Sequence, residues 1–266
     1  MPDPAPSSSQ PKSSPSTYGK VYLIGAGPGA ADLITVRGAR LLAQADAVLH
    51  DALVTDDLLA LCPQAVLVPV GKRSGQRSTA QHAINRLLVE NARKYRLVVR
   101  LKGGDPMLFG RADEELTALE AHGIEVEVVP GITAALAAAS AARQPLTKRG
   151  VSRSVALFTS STAPEESQLV QMPAGDTLVQ YMGGREATKT ARKLLEMGFL
   201  PETPVVVVEN CSRPDQQVQR LILADMENGL AKLNGPVLVM IGAALAERDP
   251  ANVSISASGE GLIDPA

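Results

Sequence analysis

The chain has 266 residues, enough for one large domain or two small ones with a full core. Its 45% hydrophobic and 20% charged residues are the balance of a soluble globular protein. A formal net charge of −2, with aromatics at only 3% and no Trp, argues against nucleic acid or an anionic membrane as partner.

The first 17 residues are almost all Pro, Ser and small polar residues, which predicts a disordered tail (1–17) with no signal-peptide core. Strand-like and helix-like segments then alternate. KVYLIG (20–25) is a short apolar run ending in glycine, and a helical pattern follows from Thr35. DAVLH (46–50) and AVLVPV (65–70) read as further strands. A helix from about Thr79 to Tyr95 precedes strand RLVVRL (96–101), and a helix from Arg111 to His122 precedes IEVEVV (124–129). The Ala-rich run 134–142 is too short for a membrane span and reads as a tightly packed helix. This alternation predicts an α/β fold with a mostly parallel sheet covered on both faces. A second series follows PLTKRGVSRS, with strands near 154–159, 177–182, 204–209 and 236–241 and a helix at 185–197. The chain thus divides into an N-terminal α/β domain (18–148), a C-terminal α/β domain (149–247) and a flexible tail (248–266).

Ligands of open α/β sheets sit at the carboxyl ends of the strands. Unusual residues recur there: GAGPGAADLIT after the first strand, HDALV after the second, GKR after the third, GGDP after the fourth and PGIT after the fifth. Each has a plain reading too. GAGPG could be a dinucleotide turn or a structural one, although Pro28 and Gly29 break the GxGxxG register. GGDP is an ordinary turn composition, Asp51 is a good helix cap, and Lys72 with Arg73 could be a solvated pair. Charge distribution favours a site. Leu58–Val89 and Val128–Pro164 contain no acidic residue but carry Lys72, Arg73, Arg77, Arg86, Arg143, Lys148, Arg149 and Arg153. Such unopposed cations suit a polyanionic small molecule. Cys62 and Cys211, far apart in sequence, exclude a disulfide framework and fit a reducing cytoplasm. The histidines His50, His82 and His122 lack ligand spacing, so no metal is expected.

The ordered series VYLIGAGPGAADLIT, HDALV, VGKR, RLVVRLKGGDPMLFGR, VVPGIT, PLTKRG and YMGG resembles the tetrapyrrole methylase family, and within it the enzymes that methylate uroporphyrinogen III. The resemblance runs from about residue 19 to 247. It implies two α/β domains with the active site in the cleft between them, a cytoplasmic homodimer and S-adenosyl-L-methionine as methyl donor. On the matching positions, the cofactor contacts would be Pro28, Gly103, Gly104, Asp105, Leu108, Thr133, Ala134, Met182 and Cys211. Asp51 would accept a proton, Lys72 would donate one, and Arg73, Arg111, Lys148, Arg149 and Arg153 would meet the substrate carboxylates. Two methyl transfers, at positions 2 and 7, would give precorrin-2 on the route to sirohaem and cobalamin. Another precorrin methylase, or a non-catalytic paralogue, would share the cofactor motifs. His50 stands where these enzymes usually carry Tyr, and Lys148 where His is common.

Overall fold

The apolar runs of the first half form five short strands. In the computed structural model, which describes residues 18–71, 81–160, 171–231 and 233–247, these are β1 (Lys20–Gly25), β2 (Ala47–His50), β3 (Val66–Pro69), β4 (Leu97–Lys102) and β5 (Val126–Val129). Their order is β3-β2-β4-β1-β5, and each pairing is parallel. This is not the 3-2-1-4 order of a dinucleotide-binding fold, so the glycine loop after β1 is not a Rossmann turn.

The connecting helices are α1 (Val36–Leu42), α2 (Asp56–Leu59), α3 (Gln81–Lys94), α4 (Ala112–Glu120) and α5 (Ala134–Ala142). Thr35 starts α1, its hydroxyl accepting from the Gly38 N–H at 3.2 Å. The buried side of α3 carries Ile84, Leu88, Val89 and Ala92, at helical spacing. These pack with Val21, Leu23, Leu49, Val98 and Leu119 on one face of the sheet. Ile24, Val48, Val99 and Leu101 form the core of the other face with Leu42 and Leu58. Both faces are therefore covered by apolar packing, and each fully buried Leu contributes about 1.5–3 kcal/mol.

The second half forms β6 (Val155–Thr159), β7 (Thr177–Tyr181), α6 (Ala187–Glu196), β8 (Pro204–Glu209), β9 (Gln217–Ile222), α7 (Leu223–Glu227) and β10 (Val237–Ile241). The sheet order is β6-β7-β10-β8-β9. β6 and β7 are parallel, but β10 is antiparallel to both β7 and β8. This sheet is mixed, which the sequence does not reveal, since a buried strand such as VLVMI carries no directional signal in its composition. β9 escapes a reading by apolar runs: it lies at the edge, and its sequence QVQRLI is half polar.

The molecule divides into two compact units. One takes the chain up to Ala141 together with Asn210–Gln217; the other takes Ala142–Glu209 and the chain from Val218 onward. No helix among the described residues is long and apolar enough to cross a membrane.

Candidate active site

Because β1 to β5 are parallel, the loops that leave them gather at one edge of the first sheet. Three backbones meet there. Gly27 and Gly104 pair like antiparallel strands, N–H to O at 3.2 and 2.8 Å. A Cβ on Gly25 would lie 2.5 Å from Gly131 Cα and 2.7 Å from the Gly104 oxygen, and one on Gly131 would strike the Gly104 oxygen and Gly25 Cα. The strand ends thus close to a distance that excludes side chains. Gly104 has φ +70, and space where its Cβ would stand is open, with nothing within 4 Å. Gly103 differs: its missing side chain faces Leu53 Cβ at 3.3 Å.

Asp105 ties this cluster together. One carboxylate oxygen accepts from Met107 N–H and the other from Gly131 N–H, each at 2.8 Å. Its first task is therefore to fix the loop after β4 against the loop after β5. Leu108 follows in the same loop. Thr133 accepts at its carbonyl from the N–H groups of Leu136 and Ala137 at the start of α5, whose first residue is Ala134.

Asp51 leaves the end of β2 and does not cap the next helix, since the N-cap of α2 is Thr55. Its Oδ1 accepts from Arg100 Nη2 at 2.6 Å and its Oδ2 from Gly103 N–H at 3.3 Å. Arg100 and Lys102 alternate with Val99 and Leu101 on β4, so both cations point to the face covered by α4. There they meet Glu115, with Arg100 Nε to Oε1 at 3.0 Å and Lys102 Nζ to Oε2 at 2.8 Å. Burial opposes the Arg100 charge, but Asp51 and Glu115 outweigh it and raise the pKa. Burial and the neighbouring Arg100 push the Lys102 pKa down, an effect Glu115 only partly offsets. The sequence reading missed Arg100, Lys102 and Glu115.

Segment 210–217, part of the same unit, closes over the first glycine loop. Ser212 Oγ accepts from Ala30 N–H at 3.0 Å, and Arg213 Nη2 donates to the Leu53 carbonyl at 2.8 Å. Cys211 is buried, and its carbonyl would lie 3.0 Å from a Cβ on Gly29. Its neighbours Asn210 and Ser212 both have positive φ, 50° and 59°, a strained geometry held by Asn210 to Asp215 and Ser212 N–H to Gln216 bonds. Burial pushes the Cys211 thiol up to about 11, the Ser212 backbone N–H offsetting this only in part. At pH 8 roughly one thiol in a thousand is then ionised, so Cys211 should resist iodoacetamide until the protein unfolds. Rapid labelling of the native protein, read by mass, would contradict this.

The remaining candidates fall on several elements of the two units. Pro28 lies half-buried in the first glycine loop. Arg111 sits exposed at the start of α4 with φ 54°, its guanidinium forked onto Glu114 at 2.6 and 2.8 Å. Met182, in the second unit, follows β7 with φ 55° and is 53% exposed. Lys148, Arg149 and Arg153 are exposed around a tight turn of that unit, where Lys148 and Ser152 exchange backbone bonds at 3.0 and 2.8 Å and Gly150 has φ +79. Lys72, Arg73 and Arg77 lie outside the described residues.

A family model described as tetrapyrrole (corrin/porphyrin) methylases matches residues 20–227, which takes in both sheets up to α7. The chain belongs to this family. Among relatives of these methylases, the uroporphyrinogen-III C-methyltransferase of Pseudomonas aeruginosa is 44% identical over 243 residues, covering 90% of this chain and 99% of that protein. A siroheme synthase of Edwardsiella ictaluri is 41% identical over 90% of this chain, which spans only 52% of that longer protein. The crystal structure of the Thermus thermophilus uroporphyrin-III C-methyl transferase complexed with S-adenyl homocysteine superposes with a TM-score of 0.75, at 38% identity, over 85% of this chain and 99% of that one. The expected fold family is thereby established.

Proposed function

We propose that the chain is an S-adenosylmethionine-dependent C-methyltransferase that converts uroporphyrinogen III, by way of precorrin-1, to precorrin-2, methylating positions 2 and 7. One observation carries the reading: a carboxylate, Asp51, is held by Arg100 and Gly103 at the carboxyl edge of the first sheet, beside an open glycine loop, in a chain matched over 90% of its length by the Pseudomonas aeruginosa enzyme.

The loop chemistry suits the cofactor. The open space at Gly104 admits close approach to backbone, and Asp105 keeps that backbone in place. Pro28, Gly103, Gly104, Asp105, Leu108, Thr133, Ala134, Met182 and the backbone of Cys211 would hold S-adenosylmethionine. When bound, it supplies an electrophilic methyl on a sulfonium. The chain's own part is to place an electron-rich pyrrole carbon in line with that methyl and to remove the proton the ring must then lose. Asp51, 30% exposed on its side chain and fixed at both oxygens, is the proton acceptor in this reading, and Lys72 the donor. Arg73, Arg111, Lys148, Arg149 and Arg153 would meet the acetate and propionate groups, the last three from an exposed turn. The protein acts as a homodimer in the cytoplasm in this proposal.

Incubation with S-adenosylmethionine and freshly generated uroporphyrinogen III should yield singly and then doubly methylated product, followed by mass and absorbance. Cofactor binding with this substrate untouched would direct the search to a different tetrapyrrole. Arg149→Glu should raise the KM for the tetrapyrrole by about tenfold or more and leave cofactor affinity within about threefold. Parallel loss of both affinities would remove Arg149 from the substrate site.

A further inference from the structure

Asp51 is the outermost member of a buried chain of charges. Side-chain exposure is 30% for Asp51 but 3% for Arg100, 3% for Lys102 and 0% for Glu115. We infer that Glu115 is a positioning residue for Asp51, acting through the Arg100 guanidinium. The inference rests on Asp51 being the proton acceptor.

The guanidinium is a rigid planar fork, so fixing two of its corners fixes the third. Glu115 Oε1 holds the Nε corner at 3.0 Å, and the Leu101 and Leu49 carbonyls accept from Nη1 at 3.2 and 3.5 Å. The remaining Nη2 then has one direction, toward Asp51 Oδ1 at 2.6 Å. Glu115 is itself held at both oxygens: Oε2 accepts from Lys102 at 2.8 Å, and Gln81 Nε2 adds a bond to Oε1 at 3.3 Å. Two cations and two carboxylates balance, so the cluster carries no net charge into the core. Buried ion pairs give little net stability relative to apolar residues of the same volume. What this cluster supplies is a carboxylate whose direction is set from behind while its outer side stays open to a reactant.

Replacing Glu115 by Gln leaves one acceptor oxygen for two buried cations, so Lys102 and Arg100 compete for it. Removing Lys102 as well returns the Gln oxygen to Arg100 and restores charge balance. The test measures kcat, KM and S-adenosylmethionine affinity in the full chain for Glu115→Gln, Glu115→Gln with Lys102→Met, and Asp51→Asn. Glu115→Gln should lower kcat by roughly 10- to 100-fold, the scale of a reacting group misplaced by about 1 Å, with cofactor Kd within about threefold. The double variant should recover most of that loss. Unchanged kcat in Glu115→Gln, beside an inactive Asp51→Asn, would overturn the inference. So would a loss the double variant fails to recover, or a fall in cofactor affinity that matches the fall in kcat. Full turnover by Asp51→Asn would instead overturn the assignment of the base, and the inference with it. If Glu115→Gln does not fold, Glu115→Asp keeps the charge and withdraws the carboxylate by one methylene. It should lower kcat at least about fivefold at constant cofactor Kd, and unaltered kcat there would also overturn the inference.

Discussion

Asp51→Asn is expected to lower kcat by about 100-fold or more while cofactor affinity stays within about threefold. The substitution keeps the shape of the side chain and removes only its charge and proton affinity. An amide oxygen can still accept from Arg100 Nη2, now 2.6 Å from the carboxylate, so the β4 cation keeps a partner. The bond lost is the longer one, from Gly103 N–H at 3.3 Å, where an amide nitrogen would meet another donor. The loop after β4 is independently secured by Asp105 and by the Gly27 pairing, so the cofactor side should feel little. A folded protein that binds S-adenosylmethionine and turns over slowly is therefore the expected phenotype, measured by titration calorimetry beside steady-state rates. Turnover near that of the parent would assign the proton to another acceptor.

The sequence shows where chemistry gathers more readily than how it is held. Apolar runs such as KVYLIG and RLVVRL become strands because burial on both faces demands them, and parallel strands put their trailing loops on one edge. That made Asp51 and the glycine loops visible as one group. Strand direction in the second sheet was not visible, because VLVMI reads alike either way. The support of Asp51 left a fainter mark. Arg100 and Lys102 are two residues apart on a strand and must share a face, which is unusual where that face is core. Glu115 looks like one more acid in the first turn of α4, alongside Asp113 and Glu114, where acids suit the helix dipole. Its spacing from Ala112 and Leu119 puts it on the buried stripe instead. Two cations on a core strand and one acid on the core side of the next helix form a pair of signals that only make sense together. Asp105 shows the opposite limit: its motif marks it as a ligand contact, yet both its oxygens already serve the backbone. The Cys211 strap was legible only as a position, since its place in the first unit depends on long-range folding.

Gly25→Ala is the second substitution expected to act strongly, by geometry rather than by chemistry. The new methyl would meet Gly131 Cα at 2.5 Å, Gly131 N at 2.6 Å and the Gly104 oxygen at 2.7 Å, all backbone atoms with no rotamer to adopt. Gly25 cannot retreat without breaking its register with Lys102 on β4, the strand that carries Arg100 and leads to Gly103. The strain should cost about 2–4 kcal/mol, as other overpacked core sites do, and lower Tm by roughly 5–15 °C. Relief comes most easily by pushing the loops after β4 and β5 apart, which strains the Asp105 bond to Gly131 and moves Gly104. Cofactor affinity should accordingly fall about tenfold or more, beyond what stability loss alone explains. Gly123→Ala separates the two effects. Gly123, unlike Gly25, needs a left-handed backbone, with φ +65, but nothing lies within 4 Å of its Cβ, and its turn precedes β5 at the other end of the sheet. It should lose about 1 kcal/mol with unchanged cofactor affinity. If Gly25→Ala lowers Tm and spares binding as Gly123→Ala does, the closed glycine cluster is a packing device and the cofactor is held elsewhere.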